Sequence, residues 1–302
     1  MIGSKLRYSR TVPYRAGHAQ PRQYWNDKMT DKNWKQEEEK NSKGKITEEY
    51  FHTEMFHVKQ SAVEQQFEKQ LEDFGIRLSE RQKKQFLTYY KNLVLWNQVM
   101  NLTAITDMEE VYTKHFVDSL SFIKAISDQD MPSGSKLIDV GTGAGFPGLP
   151  LAIIYPGLQV TLMDSLNKRI RFLDDTVGQL GLANIRTVHA RAEELARNKQ
   201  HREQYDLCCS RAVANISTLS EYCLPFIKQG GLFISYKSEK AEEELKESGK
   251  AVTILGGKLE DKIRFILPGT DYQRILLLIR KIKATPGKYP RKAGTPSKEP
   301  LH

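Results

Sequence analysis

The stretch that sets the fold reads LIDVGTGAGFPGLP and occupies residues 137–150. Its first four residues form a short apolar strand pattern, and three glycines follow at alternate positions. The apolar segment 149–155 then has the character of a helix. Glycines at such a junction let the backbone turn sharply and approach a ligand closely, and the N-terminus of the following helix presents unpaired N–H groups. The order of strand, glycine loop and helix therefore predicts a ligand site at the end of the first strand.

Strands and helices alternate after this loop. Strand patterns cover residues 160–164, 185–190, 205–210 and 232–236, and helical patterns cover residues 166–180, 216–227 and 239–250. Two final strand patterns, at residues 263–267 and 275–279, flank Pro268-Gly269. Alternation of this kind predicts an α/β fold with a mostly parallel sheet covered on both faces. The last two strands predict an antiparallel pair at its edge.

Two further segments precede the glycine loop. Residues 55–131 carry apolar residues at helical spacing, with Ser79 as the N-cap of a second helix, which predicts a small helical subdomain. Residues 1–54 are rich in charged and amide side chains and show no sustained period. We interpret them as a disordered or wrongly assigned extension, and we expect translation to begin at Met55. The sheet-bearing domain is assigned to residues 132–283 and a basic tail to residues 284–302.

The charge is concentrated at the two ends of the chain. The net charge is +9, of which residues 1–54 contribute +3 and residues 280–302 contribute +6, so the body between them is neutral. A basic tail is typical either of a phosphate-binding arm or of a solvated, disordered segment, and the sequence leaves both open. Three cysteines are too few for a disulfide framework. Because neither an apolar signal segment nor a membrane-spanning run is present, we expect a cytoplasmic protein.

An acidic residue at the end of the second strand limits the kinds of ligand that the site can bind. Asp164 lies 19 residues after Gly145, where a carboxylate can accept hydrogen bonds from both hydroxyls of a ribose; the alternative is a solvated or helix-capping aspartate. The loop spacing is G-x-G-x-G, whereas dinucleotide sites favour G-x-G-x-x-G. This combination resembles the signature of class I (Rossmann-like) methyltransferases, whose cofactor is S-adenosylmethionine. In that case Gly141 and Gly143 form the floor of the cofactor-binding site.

Longer segments resemble one family. Residues 139–150, 164–169, 101–105 and 115–119, the Ser210-Arg211-Ala212 segment and the tail residues 288–296 are similar to those of the RsmG (GidB) family. The resemblance covers about residues 55–300 and predicts a seven-stranded class I methyltransferase sheet. It implies an enzyme that methylates guanine N7 at position 527, in the 530 loop of 16S rRNA of the small ribosomal subunit. It also implies cofactor contacts from Gly141, Phe146, Ala192, Glu193 and Arg211; taken alone, Glu193 is equally typical of a solvated helix start.

Basic side chains near these segments are candidates for RNA binding. They are Lys168, Arg169, Arg171, Lys237, Arg291 and Lys292. For the first three, an ordinary solvated helix face is the alternative. Guanine N7 has a free lone pair, so no general base is required, and we expect no metal. We expect a monomer; the competing hypotheses are methylation of another RNA site or a small molecule, a non-catalytic RNA-binding module, and a nicotinamide reductase.

Overall fold

A single sheet forms the centre of the molecule. The computed structural model describes residues 48–127, 130–211, 214–238 and 241–301, and within them seven strands pair in the order β3-β2-β1-β4-β5-β7-β6. Neighbours among β1 to β5 run parallel, and β7 lies antiparallel between β5 and β6. This arrangement confirms the predicted fold class and the antiparallel pair. The strands are β1 Lys136–Val140, β2 Gln159–Asp164, β3 Ile185–His189, β4 Tyr205–Ser210, β5 Ile227–Lys237, β6 Gly257–Ile266 and β7 Gln273–Lys281.

Helices precede the sheet and connect its strands. The third, α3, is composite, since its helical turns Met108–Val111 and Asp118–Leu120 are joined by a π-helical turn, Tyr112–Val117, and followed by a 3-10 turn, Ser121–Ala125. Ser79 caps the helix α2, Glu80–Met100, as predicted, with a reciprocal hydrogen bond from its backbone N–H to the Gln82 side chain. The remaining helices are α1 Glu54–Glu72, α4 Gly148–Ile154, α5 Asn167–Leu180, α6 Ala192–Leu195, α7 Ile216–Cys223, α8 Ala241–Ile254 and α9 Thr295–Lys298.

Each face of the sheet supports its own core because successive strand residues point to opposite sides. Leu137, Leu162, Leu207 and Leu232 pack with the aromatic side chains of α1 to α5. The residues that follow them, among them Met163 and Phe233, pack with α6, α7, α8 and the tail. The N-terminal helices thus share one continuous core with the sheet. Of the described helices, none is long and apolar enough to cross a membrane.

The predicted junction between α7 and β5 is wrong, and β6 begins at Gly257 and not at residue 263. The helical pattern of residues 216–227 ends earlier, at Cys223, and a 3-10 turn, Leu224–Phe226, leads directly into β5. Pro225 explains this change because it has no N–H group to continue the helix. Strand β5 then begins five residues before the predicted start and passes through Gly230, whose φ of 87° is compatible with an irregular strand.

Ordered structure also begins before the predicted helical subdomain. Residues Glu48–His52 form a 3-10 helix that leads into α1. Phe51 is buried, and its ring centroid lies 5.1 Å from that of Phe56 and 6.5 Å from that of Tyr90. The aromatic packing of Phe51 explains why these residues differ from the expected unstructured segment. Residues 1–47 of that segment, including Met1, lie outside the described residues.

The basic tail packs against the second face of the sheet. Tyr289 is buried there, and the Arg202 guanidinium donates to the carbonyl oxygens of Thr285 and Tyr289. The hydroxyl of Thr218 donates to the carbonyl oxygen of Pro296 at 2.9 Å. Residues 284–301 are therefore part of the folded body and match neither a free arm nor a disordered segment. The physical reason is that the tail supplies its own apolar and hydrogen-bonding anchors.

Candidate active site

The glycines of the loop divide into two pairs with different surroundings. Gly141 and Gly143 have φ angles of 72° and 62°, and a Cβ atom built on either meets nothing within 4 Å. A Cβ on Gly145 lies 2.7 Å from the Tyr89 hydroxyl, and one on Gly148 lies 2.4 Å from the Leu162 side chain. The later pair therefore allows helix and strand to pack closely. The first pair keeps the backbone exposed to open space, as the floor of a ligand site requires.

Asp139 holds the loop against the following helix. Its buried carboxylate accepts hydrogen bonds through Oδ2 from the Thr142 hydroxyl at 2.6 Å and from the Gly148 N–H at 2.9 Å. Oδ1 has no hydrogen-bond partner among the described residues. Burial raises the pKa of Asp139 to about 6, because an ionised carboxylate is poorly solvated there. The sequence shows this residue at the end of the strand pattern but gives no signal of its role in fixing the loop.

Asp164 ends β2, as predicted, and lies beside the glycine loop. Its Oδ2 accepts from the Gly143 N–H at 3.0 Å and from the Arg169 guanidinium at 3.1 Å, and its Oδ1 accepts from the Leu166 N–H at 2.9 Å. The side chain is almost fully buried. The aspartate is thus fixed at the strand end by the loop that it faces. Arg169, proposed above as an RNA contact, folds back onto this carboxylate.

Ala192 and Glu193 open helix α6 and are nearly buried. The Glu193 Oε1 atom accepts a hydrogen bond from the Gly294 N–H of the tail at 2.8 Å. The tail therefore holds this side of the site together. Sequence reasoning placed Glu193 after β3 but had no signal for a partner 101 positions away.

Phe146 and Arg211 meet beneath helix α3. The Phe146 ring stacks on His115 with 4.5 Å between centroids and on Tyr89 with 5.3 Å, and the Arg211 guanidinium lies 4.9 Å above it. Burial, together with the positive charge of Arg211, lowers the pKa of His115 to about 3, so the imidazole is neutral at physiological pH. Phe146 thus acts as a platform under Arg211, and its side chain has only 6% of its surface exposed.

Most of the proposed RNA-binding cations have partners within the protein. Lys168 donates to the Met100 carbonyl oxygen at 3.1 Å, and Lys237 donates to Glu244 at 2.7 Å. Arg291 forms a bidentate pair with Glu221, a fully buried carboxylate on α7. Arg171 and Lys292 lie on the exposed surface. Arg291 is therefore positioned as an anchor of the tail, which does not fit a free phosphate-binding arm.

A cavity of about 280 Å³ lies at the carboxyl ends of β4 and β5. Ligands of open α/β sheets bind beyond these ends. Ala212, predicted beside Arg211, lies outside the described residues. Sequence reasoning gave no role to Asp118, Glu244 and Arg274 of this cavity; a signal for Asp118 was a carboxylate directly after the apolar pair Phe116-Val117. The lining residues are Asp118, Arg211, Tyr236, Lys237, Ser238, Glu244 and Arg274.

Comparison with known proteins assigns the family. The family model GidB, described as rRNA small subunit methyltransferase G, matches residues 82–266. The chain belongs to this family. A "Ribosomal RNA small subunit methyltransferase G" of Lachnoclostridium phytofermentans is 54% identical over 231 residues, which cover 76% of this chain and 94% of that protein. A protein of the same name from Lactobacillus johnsonii is 52% identical over 236 residues, which cover 78% and 98%.

Among solved structures, the chain is similar to the Methanococcus jannaschii fibrillarin pre-rRNA processing protein. The identity is 19%, the TM-score is 0.43, and the match covers 54% of this chain and 74% of that one. The predicted GidB family and the predicted Rossmann-like methyltransferase fold are both confirmed, the latter by the strand order. Among the described residues, no group of three or more histidine, cysteine or acidic side chains is arranged to hold a metal ion.

Proposed function

We propose that this protein transfers the methyl group of S-adenosylmethionine to N7 of guanine 527 in 16S rRNA of the small ribosomal subunit. The observation that carries the proposal is the open floor at Gly141 and Gly143, bordered by Asp164 at the end of β2. Family membership supports the reaction class and the RNA substrate. We further propose that the protein works as a cytoplasmic monomer.

The residues of the site fit this cofactor. The floor accepts no side chain without losing the open space above it, which suits the methionine part of the ligand. The Asp164 carboxylate suits a ribose hydroxyl, since its Oδ1 accepts only the Leu166 N–H and retains acceptor capacity. Ala192 and Glu193, at the start of α6 after β3, are the residues that we propose to hold the adenine. When bound, S-adenosylmethionine supplies an electrophilic methyl group on a sulfonium centre.

The proposed reaction requires no general base from the protein. Guanine N7 attacks with a lone pair that carries no proton at neutral pH, so proton removal is unnecessary. His115 is neutral and already hydrogen-bonded to the Thr103 hydroxyl at 3.0 Å, which agrees with a supporting role. Catalysis then rests on positioning, which can supply about 7–11 kcal/mol of the barrier. Arg211 is held for this purpose by Asp118 and by the Phe146 ring.

The decisive experiment supplies labelled S-adenosylmethionine together with naked 16S rRNA, small subunits or whole ribosomes. We expect label in N7-methylguanine at position 527 from at least one of them. An Asp164→Asn variant should bind the cofactor about tenfold or more weakly, because a neutral amide is a poorer acceptor than a carboxylate. Absence of transfer to all three substrates contradicts the proposal, and label at another nucleotide redirects it to another RNA site.

A further inference from the structure

The cavity at the ends of β4 and β5 is linked to the glycine loop by the Arg211 side chain. Arg211 lines the cavity and also lies over the Phe146 ring, which belongs to the loop. Lys237 is the last residue of β5, and β7 contributes Arg274. Helix α3 closes the cavity with Asp118. A group bound here therefore lies next to the site proposed for the cofactor.

One carboxylate fixes two guanidinium groups in this cavity. Asp118 is 5% exposed, and its Oδ1 accepts from Arg274 Nε at 2.7 Å while its Oδ2 accepts from Arg211 at 3.0 Å. Arg274 also donates to the Gln273 carbonyl oxygen at 3.0 Å. An arginine has five N–H donors, so these contacts orient Arg274 without exhausting it. Asp118 thus holds a directed hydrogen-bond donor at the cavity wall.

An acceptor of fixed position lies on another wall. Glu244 on α8 pairs through Oε2 with Lys237 at 2.7 Å, and the lysine is further held by the Ala214 carbonyl oxygen. The Lys237 side chain is only 7% exposed, so this ion pair is well shielded on the lysine side. An ionised carboxylate has about four acceptor positions, and one is occupied by the lysine. Glu244 therefore presents a negatively charged acceptor to the cavity.

We infer that this cavity receives the target base, with Arg274 donating to O6 of guanine and Glu244 accepting from its N1–H and N2–H groups. The inference rests on the proposed function. Guanine carries an acceptor at C6 and donors at N1 and N2, whereas adenine carries a donor at C6. A donor and an acceptor on separate walls match guanine and reject adenine. The volume of about 280 Å³ suits one small ligand.

One carboxylate of the lining also bears on the reaction. Methyl transfer to N7 moves positive charge from the sulfonium to the purine. A carboxylate in contact with the base, as proposed for Glu244, favours that charge. Arg274 is assigned to O6 alone, because a hydrogen bond to N7 occupies the attacking lone pair.

The test uses variants with a matched control on the same strand. Arg274→Gln and Glu244→Ala should each lower kcat/KM for the RNA substrate by roughly 10-fold to 100-fold, the range expected for a lost base contact. Their affinity for S-adenosylmethionine, measured by calorimetry, should stay within about twofold. Arg280→Gln is the control, since Arg280 lies on β7, is 25% exposed like Arg274, and pairs instead with Asp130 and Glu260. We expect it to retain wild-type kcat/KM.

A base analogue distinguishes recognition from a structural effect. RNA with inosine at the target position lacks the N2 amino group, so the wild-type protein should methylate it about tenfold or more slowly than guanine RNA. Glu244→Ala should treat the two RNAs alike. Undiminished discrimination by Glu244→Ala, or wild-type kcat/KM in Arg274→Gln, overturns the inference. An inactive wild-type protein instead overturns the proposed function.

Discussion

Gly141 has two roles: it allows the loop backbone to turn, and it leaves space for the proposed ligand. Its positive φ strains any other residue, and a side chain there extends into the open floor. Gly141→Asp should therefore weaken S-adenosylmethionine binding by about 100-fold or more, through bulk and through repulsion of the methionine carboxylate. Calorimetric titration of the purified variant measures this loss.

Gly134 offers a matched control for that prediction. It has a φ of 84°, open space around a built Cβ, and a position in the turn before β1. Gly134→Asp carries a similar backbone strain, so both variants should lose about 1 kcal/mol of stability. Only the variant at the floor should lose cofactor affinity. Equal affinity in the two variants contradicts the assignment of the loop.

His115 makes stability depend on pH. Its pKa is lowered from 6.5 to about 3 in the folded protein, so between these values the unfolded chain binds more protons. Its contribution is complete above pH 6.5 and is lost as the pH falls. The stability advantage of wild type over His115→Gln should shrink by about 2 kcal/mol between pH 6.5 and pH 5. Urea unfolding at both pH values measures it, and a constant difference contradicts the prediction.

The sequence predicts the positions of some residues of the candidate site and not those of others, for a physical reason. Gly141, Asp164 and Glu193 lie at or after strand ends, and parallel strands bring their carboxyl ends to one edge. Asp118 and Arg274 are 156 positions apart in the chain and meet where α3 contacts β7. Neither helical nor strand periodicity encodes such a distance. The glycine floor is therefore predictable, whereas the cavity beside it is not.

At the scale of elements, most centres are predictable and several boundaries are not. The apolar period identifies α7 and β5. The boundary between them lies earlier in the chain than predicted, because Pro225 ends the helical pattern and β5 continues through Gly230. The alternating pattern also misses the 3-10 helix before α1, because five residues are too few to show a period. The structure of this 3-10 helix depends on the buried ring of Phe51.

Phe51 should therefore matter for stability. Replacing it with alanine removes a buried ring that packs on Phe56 and Tyr90, so Phe51→Ala should destabilise the protein by about 3 kcal/mol. A chain that starts at Met55 lacks the same contact and should show a similar loss. His52→Ala, at an exposed neighbouring position, should change the free energy of unfolding by less than about 0.5 kcal/mol. Denaturant unfolding compares them, and equal stability of all variants contradicts the role of Phe51.

At the scale of the whole molecule, the tail packs over the second face of the sheet. Arg291→Ala leaves the fully buried Glu221 carboxylate without its bidentate partner, and loss of such a partner destabilises by about 3–5 kcal/mol. The neighbouring Lys292→Ala changes an exposed side chain and should leave stability unaltered. Thermal unfolding distinguishes the two. Adding Glu221→Gln to Arg291→Ala should recover part of the loss, and no recovery contradicts the charge argument.

The contacts of the tail also tie the candidate site to a distant part of the chain. The Gly294–Glu193 hydrogen bond joins positions 101 residues apart, and the Arg291–Glu221 pair spans 70. Neither contact can form before the tail has been synthesised and has docked. Glu193, which we propose as a cofactor contact, is therefore fixed only once the tail is in place, and we expect cofactor binding to follow that step.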